Sequence, residues 1–316
     1  MFFSVVLNYF LLTGSTLNNI YLKTKIMHKL KTLLCISTAA ITLSAFIFTV
    51  SCKKSATTTE STATASDQAV AEKSYSDAQT ISENAVASPA SMNFRTTKIS
   101  GMPCATVTSD TTGGNTVVTI NFGSTDCTCR DGRTRRGAIT VTYPTGQWFT
   151  SGTTRIITFN NYFQDDNQIQ GTKTVTYEGL NGSGQPYFDV TISGTVTYPS
   201  GKTISVNWTR TRTWLSGFTI SGTSPVWSVD LEYSVSGNGT MTNSAGQTVD
   251  VTITSATPLV YSPTCKWAEA GTISYTLVSD GKTRSVNFGA NTAPYTCHDT
   301  AVVTLANGTQ KTITLP

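Results

Sequence analysis

Charge and histidine are scarce in this chain. Asp, Glu, Lys and Arg make up 13% of its 316 residues, and only His28 and His298 are histidine. That poverty removes multi-histidine metal centres and leaves His298 as the single imidazole past the N-terminal segment. A hydrolytic triad needs such an imidazole beside a nucleophile and an orienting acid. Asp299 adjoins it in sequence, but neighbouring strand residues point to opposite faces, so His298 is read as a loop residue. A basic face is missing too. The chain has 22 basic and 18 acidic residues, and the excess of four is the four unaccompanied lysines ahead of Cys52: Lys23, Lys25, Lys29 and Lys31. Beyond Cys52 the two signs balance. Nucleic-acid binding requires a clustered positive footprint, so no nucleic-acid partner is expected, and no cofactor is expected either.

Long apolar runs are equally few, and the longest has a context. Met27-His28-Lys29-Leu30-Lys31 is basic, Leu33 to Val50 is apolar, and Ser51 precedes Cys52. A basic start, an apolar core and a small residue before the exit point make an export signal. A cysteine at that exit is the pattern of a bacterial lipoprotein signal, in which the cysteine is acylated and becomes the new N-terminus. Thr49 departs from that pattern, since Leu, Val or Ile is usual there. The competing reading is an uncleaved anchor, for which the run is just long enough. Ser37, Thr38, Thr42, Ser44, Thr49 and Cys35 dilute the run and favour a cleavable segment. Met27 is then the expected start, with residues 1–26 an upstream artefact of start assignment that carries a second apolar patch, Phe2 to Leu12.

Past Cys52 the composition changes twice. Lys53 to Ser66 is almost wholly Ser, Thr, Ala and Glu, which cannot bury a core and reads as a flexible tether spanning 52–66. Over 67–96 a short amphipathic helix and a linker are expected, with Val70, Tyr75, Ala78, Ile81 and Ala85 at helical spacing and Asp67 as N-cap. From Thr97 to Pro316 the chain reads as β throughout. Gly137 to Tyr143 leads into Pro144-Thr145-Gly146, and Gly194 to Tyr198 leads into Pro199-Ser200-Gly201. Gly239 to Thr242 leads to Ala245-Gly246, and Gly271 to Tyr275 leads to Asp280-Gly281. Each is a strand, a tight turn and a return strand. The fold class expected is all-β: an antiparallel meander of Gly-punctuated hairpins, sandwich-like or a twisted elongated sheet, behind a short helix.

Cysteine-bounded segments occur twice in the same order. Cys104, Val107 to Asp110, a Gly113-Gly114 turn, Asn121-Phe122-Gly123 and Cys127 form the first. Cys265, Val278 to Asp280, a Gly281 turn, Asn287-Phe288-Gly289 and Cys297 form the second. Asp131 follows the first closing cysteine and Asp299 the second. Export permits disulfides, and the duplication favours Cys104 with Cys127 or Cys129, and Cys265 with Cys297. Cys127, Cys129, Cys297 and His298 would also make a soft tetrahedral metal set, but Cys104 and Cys265 compete for those thiols, so no metal is expected.

Candidate binding residues lie on one strand. Val206, Trp208, Arg210, Arg212 and Trp214 share a face by alternation, opposite Asn207, Thr209, Thr211 and Thr213. Indoles beside guanidinium groups stack on sugar rings, which makes Trp208, Arg210, Arg212 and Trp214 the candidate ligand site. The competing reading is a cation–π ladder on an exposed sheet face. Asp165-Asp166 has the residues of a carboxylate pair but reads as a turn. No catalytic residue is assigned. The signal and tether, Asp131-Gly132-Arg133-Thr134-Arg135-Arg136-Gly137 and the paired Asn-Phe-Gly units together resemble a family of Bacteroidota-type outer-membrane lipoproteins. The resemblance covers nearly all of the chain past Cys52. It implies an outer-membrane lipoprotein and supplies no activity; with Cys52 as the lipidated residue, a glycan or an envelope protein is the expected partner. Lys53 and Lys54 depart from the acidic residues that favour surface display in that group, so the membrane face stays open.

Overall fold

A computed structural model describes residues 61–87, 97–99, 102–221 and 224–316. The signal, Cys52 and the tether up to residue 60 lie outside the described residues. Ala63–Ala87 form α1, a helix of 25 residues. Its first turn is capped by Ser61, whose hydroxyl accepts the Ala63 N–H at 3.1 Å. Pro89 stands just beyond Ala87 and disfavours helical backbone before it. The helix therefore begins four residues ahead of the expected Asp67 cap. Asp67 is instead buried in the second turn, where it accepts from the Tyr198 hydroxyl and the Ser244 N–H, each at 2.8 Å.

Among the described residues, sixteen strands follow in one sheet. They are β1 (Thr97–Ile99), β2 (Met102–Thr112), β3 (Asn115–Asn121), β4 (Cys127–Thr128), β5 (Thr134–Pro144), β6 (Thr153–Gln164), β7 (Asn167–Leu180) and β8 (Pro186–Thr197). The second half comprises β9 (Thr203–Ser221), β10 (Ser224–Thr242), β11 (Thr248–Ile253), β12 (Leu259–Tyr261), β13 (Gly271–Leu277), β14 (Lys282–Gly289), β15 (Thr300–Thr304) and β16 (Gln310–Thr314). Each main strand pairs antiparallel with its neighbour in sequence. β4 pairs only β5, and β12 pairs only β10. The expected hairpins all form, because Pro and Gly punctuate the turns and threonine-rich alternation fixes which face looks out.

Of the two forms expected, sandwich-like or one twisted sheet, the structure has the single sheet. A single sheet curls around α1, which touches β3, β5, β6 and β9 and is buried on every side from Asp67 to Glu83. β9 alternates exposed and buried residues along its first half, placing Val206, Trp208, Arg210, Arg212 and Trp214 on the inner face. Close approach of helix to sheet is possible at Gly194, where an added Cβ would sit 2.0 Å from the Tyr75 hydroxyl oxygen. That hydroxyl donates to the Gln170 carbonyl at 2.8 Å. Across the wrap, Arg133 at the start of β5 donates to the Lys266 carbonyl and lies over the Trp267 ring at 4.5 Å, joining the early strands to the segment between β12 and β13.

Candidate functional site

The helix that expected periodicity made amphipathic is polar on most of its circumference and still buried. Its acids find their partners on the sheet. Glu72 accepts from Arg210 through Nε at 3.0 Å and through Nη2. Glu83 accepts from Arg212 at 2.8 Å, and both side chains are 1% exposed. Asp77 gathers Lys73 at 2.7 Å, Arg135 at 3.3 Å, Arg133 at 3.4 Å and the Gln164 amide at 2.9 Å. Charges taken out of water are tolerable only with such partners. Acids on α1 and arginines on β5 and β9 are thus two halves of one interior.

This places the predicted sugar-binding stripe away from solvent. Trp208 is 1%, Arg210 2%, Arg212 1% and Trp214 0% exposed, all facing α1. Arg212 stacks 3.6 Å from the Tyr233 ring centroid and Arg210 4.6 Å from that of Trp208. Stacking and alternation were read correctly, but the assignment of this face as an exposed ligand surface is corrected. Helix acids that nobody would pair with β9 from sequence distance made the difference. Asp165 and Asp166 do form a turn, with left-handed φ of 49° and 62°, and their carboxylates are held by Arg133 and Arg136 respectively.

Lys173 is the interior cation whose ammonium is bonded to a carbonyl instead of a carboxylate. Its Nζ donates to the Tyr75 carbonyl at 2.8 Å. Burial, with Arg212 and Arg210 close by and only partly offset by Glu83 and Glu72, pushes its pKa down to about 7. The unfolded chain then binds the extra proton between about pH 7 and the ordinary lysine value, so stability rises with pH across that window. Urea unfolding from pH 7 to 9.5 is expected to show a slope approaching about 1 kcal/mol per pH unit. Lys173→Met should flatten that slope; an unchanged slope would assign it elsewhere.

An outward-facing recess lies at the β3–β5–β6 junction. Two irregularities create it. Gly137 at φ +82° occupies a bulge in β5, where a Cβ would lie 1.9 Å from the Asn161 carbonyl oxygen. Asn161 sits opposite at φ 44°, where the β6–β7 pairing also shifts. Bulges re-aim side chains and often mark functional rims. The recess holds about 410 Å³ and is lined by Asn121, Ser124, Arg136, Asn160, Asn161 and Phe163, among others. Arg136 lies 4.0 Å over Phe163 and is shared between Asp126 at 2.7 Å and Asp166 at 2.6 Å. Its charge is therefore spent. Asn160 and Asn161 are exposed, and their amides have no protein partner among the described residues. The sequence signal for this groove was slight: a glycine inside a strand opposite paired asparagines.

The cysteines resolve as the duplication implied. Cys104 bridges Cys127 and Cys265 bridges Cys297. Cys129 is free and buried, and burial pushes its thiol up despite the opposing pull of Arg135. His298 Nε2 lies 3.2 Å from the Glu269 carbonyl. Glu269, which spacing did not single out, touches the second bridge: its carboxylate and the two sulfurs lie within 4.8 Å of one another. Among the described residues no helix is long and apolar enough to cross a membrane. No protein-family model, curated protein or solved structure matches this chain.

Proposed function

We propose that the chain is an exported lipoprotein of the bacterial cell envelope, held to the outer membrane through acylated Cys52, and that it binds neutral oligosaccharide in the groove at the β3–β5–β6 junction. The observation that carries the binding reading is the groove's free amides. Asn160 and Asn161 offer paired donors and acceptors, which suit vicinal hydroxyls, and the half-buried Phe163 gives an apolar wall. Arg136 is outweighed by the two aspartates it bridges, so the groove offers no free cation to an anionic ligand. Its volume falls within the range of small-molecule sites. Arg133, Arg135, Arg210 and Arg212 are committed to acids of α1 and contribute nothing to a ligand.

The anchor reading rests on the basic start, the apolar run and Ser51-Cys52. Labelled palmitate is expected to enter the wild-type chain and not Cys52→Ser. For the groove, retention on columns of neutral glycans is the direct test. The pair Asn160→Ala and Asn161→Ala should weaken retention by about tenfold, the equivalent of one or two lost hydrogen bonds. Unchanged retention in the double variant would remove the groove as the site and leave the structural role for an anchored β domain.

A further inference from the structure

The two disulfides close repeats of one unit but differ at the residue four positions past the opening cysteine. Four residues after Cys104 stands Thr108; four residues after Cys265 stands Glu269. Glu269 is 8% exposed, and its Oε1 lies 2.8 Å from Cys265 Sγ. A bridged sulfur carries no hydrogen, so an attractive contact at that distance needs the proton to come from the carboxyl. Its second oxygen, Oε2, is buried without a hydrogen-bond partner, as expected of a neutral acid held for a purpose other than pairing. The bridge itself is lopsided: Cys265 is buried and Cys297 is exposed. A reagent from solvent reaches one sulfur, and the carboxyl touches the other.

We propose that Cys265–Cys297 is an exchange-active disulfide and that Glu269 is its proton donor and acceptor. In reduction by a dithiol, one thiolate attacks the exposed Sγ of Cys297 and forms a mixed disulfide. The electron pair of the broken Cys265–Cys297 bond passes to Sγ of Cys265, which takes the proton from Glu269 Oε1 and becomes a thiol. The second thiolate of the reductant then attacks its partner sulfur and expels Cys297 as thiolate, which is protonated by water. Two electrons enter the protein, and the dithiol leaves as a disulfide. In the reverse direction the Glu269 carboxylate removes the Cys265 proton. Without the acid, a buried thiolate would have to leave unprotonated into an apolar surround. The charged neighbours are Glu232 from β10, Lys73 from α1 and His298. Burial first, then Glu232, raises the Glu269 pKa, while Lys73 and His298 oppose it. The net direction keeps the proton in place further toward neutral pH.

The test uses the purified chain with both bridges formed. Reduction by dithiothreitol is quenched with an alkylating agent, and peptide mass spectrometry follows each bridge separately at pH 5.5 and 8.5. In Glu269→Gln, reduction of Cys265–Cys297 is expected to slow by about tenfold at pH 5.5, the lower edge of ordinary general-acid effects. The ratio of wild type to variant should close toward one as the pH rises, because ionisation removes the proton that Glu269 would donate. Cys104–Cys127 should keep its wild-type rate throughout and serves as the internal reference. Should Glu269→Gln fail to form its bridge, Glu269→Asp takes its place, and the same collapse of the ratio with pH is expected. Equal rates in wild type and variant at both pH values, or equal slowing of both bridges, would overturn the proposal.

Discussion

Glu83→Ala is expected to lower the unfolding free energy by about 3–5 kcal/mol, the cost of leaving a buried charge without its partner. Arg212, 1% exposed, would lose its carboxylate, and its Nε and Nη1 already lack hydrogen-bond partners. Gln79 would lose the Glu83 oxygen that it donates to at 3.0 Å. The companion Glu83→Met with Arg212→Met removes both charges at similar volume. It is expected to recover most of the loss, because the pair repays its desolvation poorly. Urea denaturation of the two variants separates these effects. A loss under about 1 kcal/mol for Glu83→Ala would mean that Arg212 finds water or another acid, and the sealed interior would have to be abandoned.

Removal of residues 61–87 carries the larger consequence. Such a chain is expected not to fold, since Arg133, Arg135, Arg210, Arg212 and Lys173 would line an interior stripped of Asp77, Glu72, Glu83 and the Tyr75 carbonyl. The apolar positions Val70, Tyr75, Ala78, Ile81 and Ala85 would leave the core with them. A synthetic peptide of residues 61–87 should restore β circular dichroism and a cooperative melt, and a peptide with Glu72→Gln and Glu83→Gln should not. Cooperative folding of the truncated chain alone would show that the helix merely occupies a sheet able to stand without it.

Much of this architecture was legible. Threonine alternation gave the outward face, the Pro and Gly turns gave the meander, and the repeated Asn-Phe-Gly units gave Cys265 with Cys297 but left Cys104 between Cys127 and Cys129. What could not be read was the identity of the inner surface. Trp208, Arg210, Arg212 and Trp214 form a polar-aromatic face that normally belongs in water. They are buried here because acids more than 120 residues away in sequence lie against them. Helical spacing of Val70, Tyr75, Ala78, Ile81 and Ala85 identified α1 but implied one wet side; the wet side is matched by arginines instead. Glu269 and the bulge at Gly137 escaped notice for a related reason. Each acquires meaning only from a neighbour brought by the sheet: a sulfur at 2.8 Å in one case, the Asn161 carbonyl in the other.

The placement of α1 also sets how the protein bears load. A pull on Ser61 along the axis of α1 would meet a row of side-chain grips. Tyr198 and Ser244 grip Asp67, Arg210 grips Glu72, Arg133 and Arg135 grip Asp77, and Arg212 grips Glu83. These grips run from Asp67 to Glu83, about 24 Å of helix at the usual rise. Tension therefore loads them side by side in shear, where all must yield together, and not one after another as in peeling. Strands of the wrap are spared until the helix slides. A pull along α1 thus passes into its buried charge pairs before it reaches the strands.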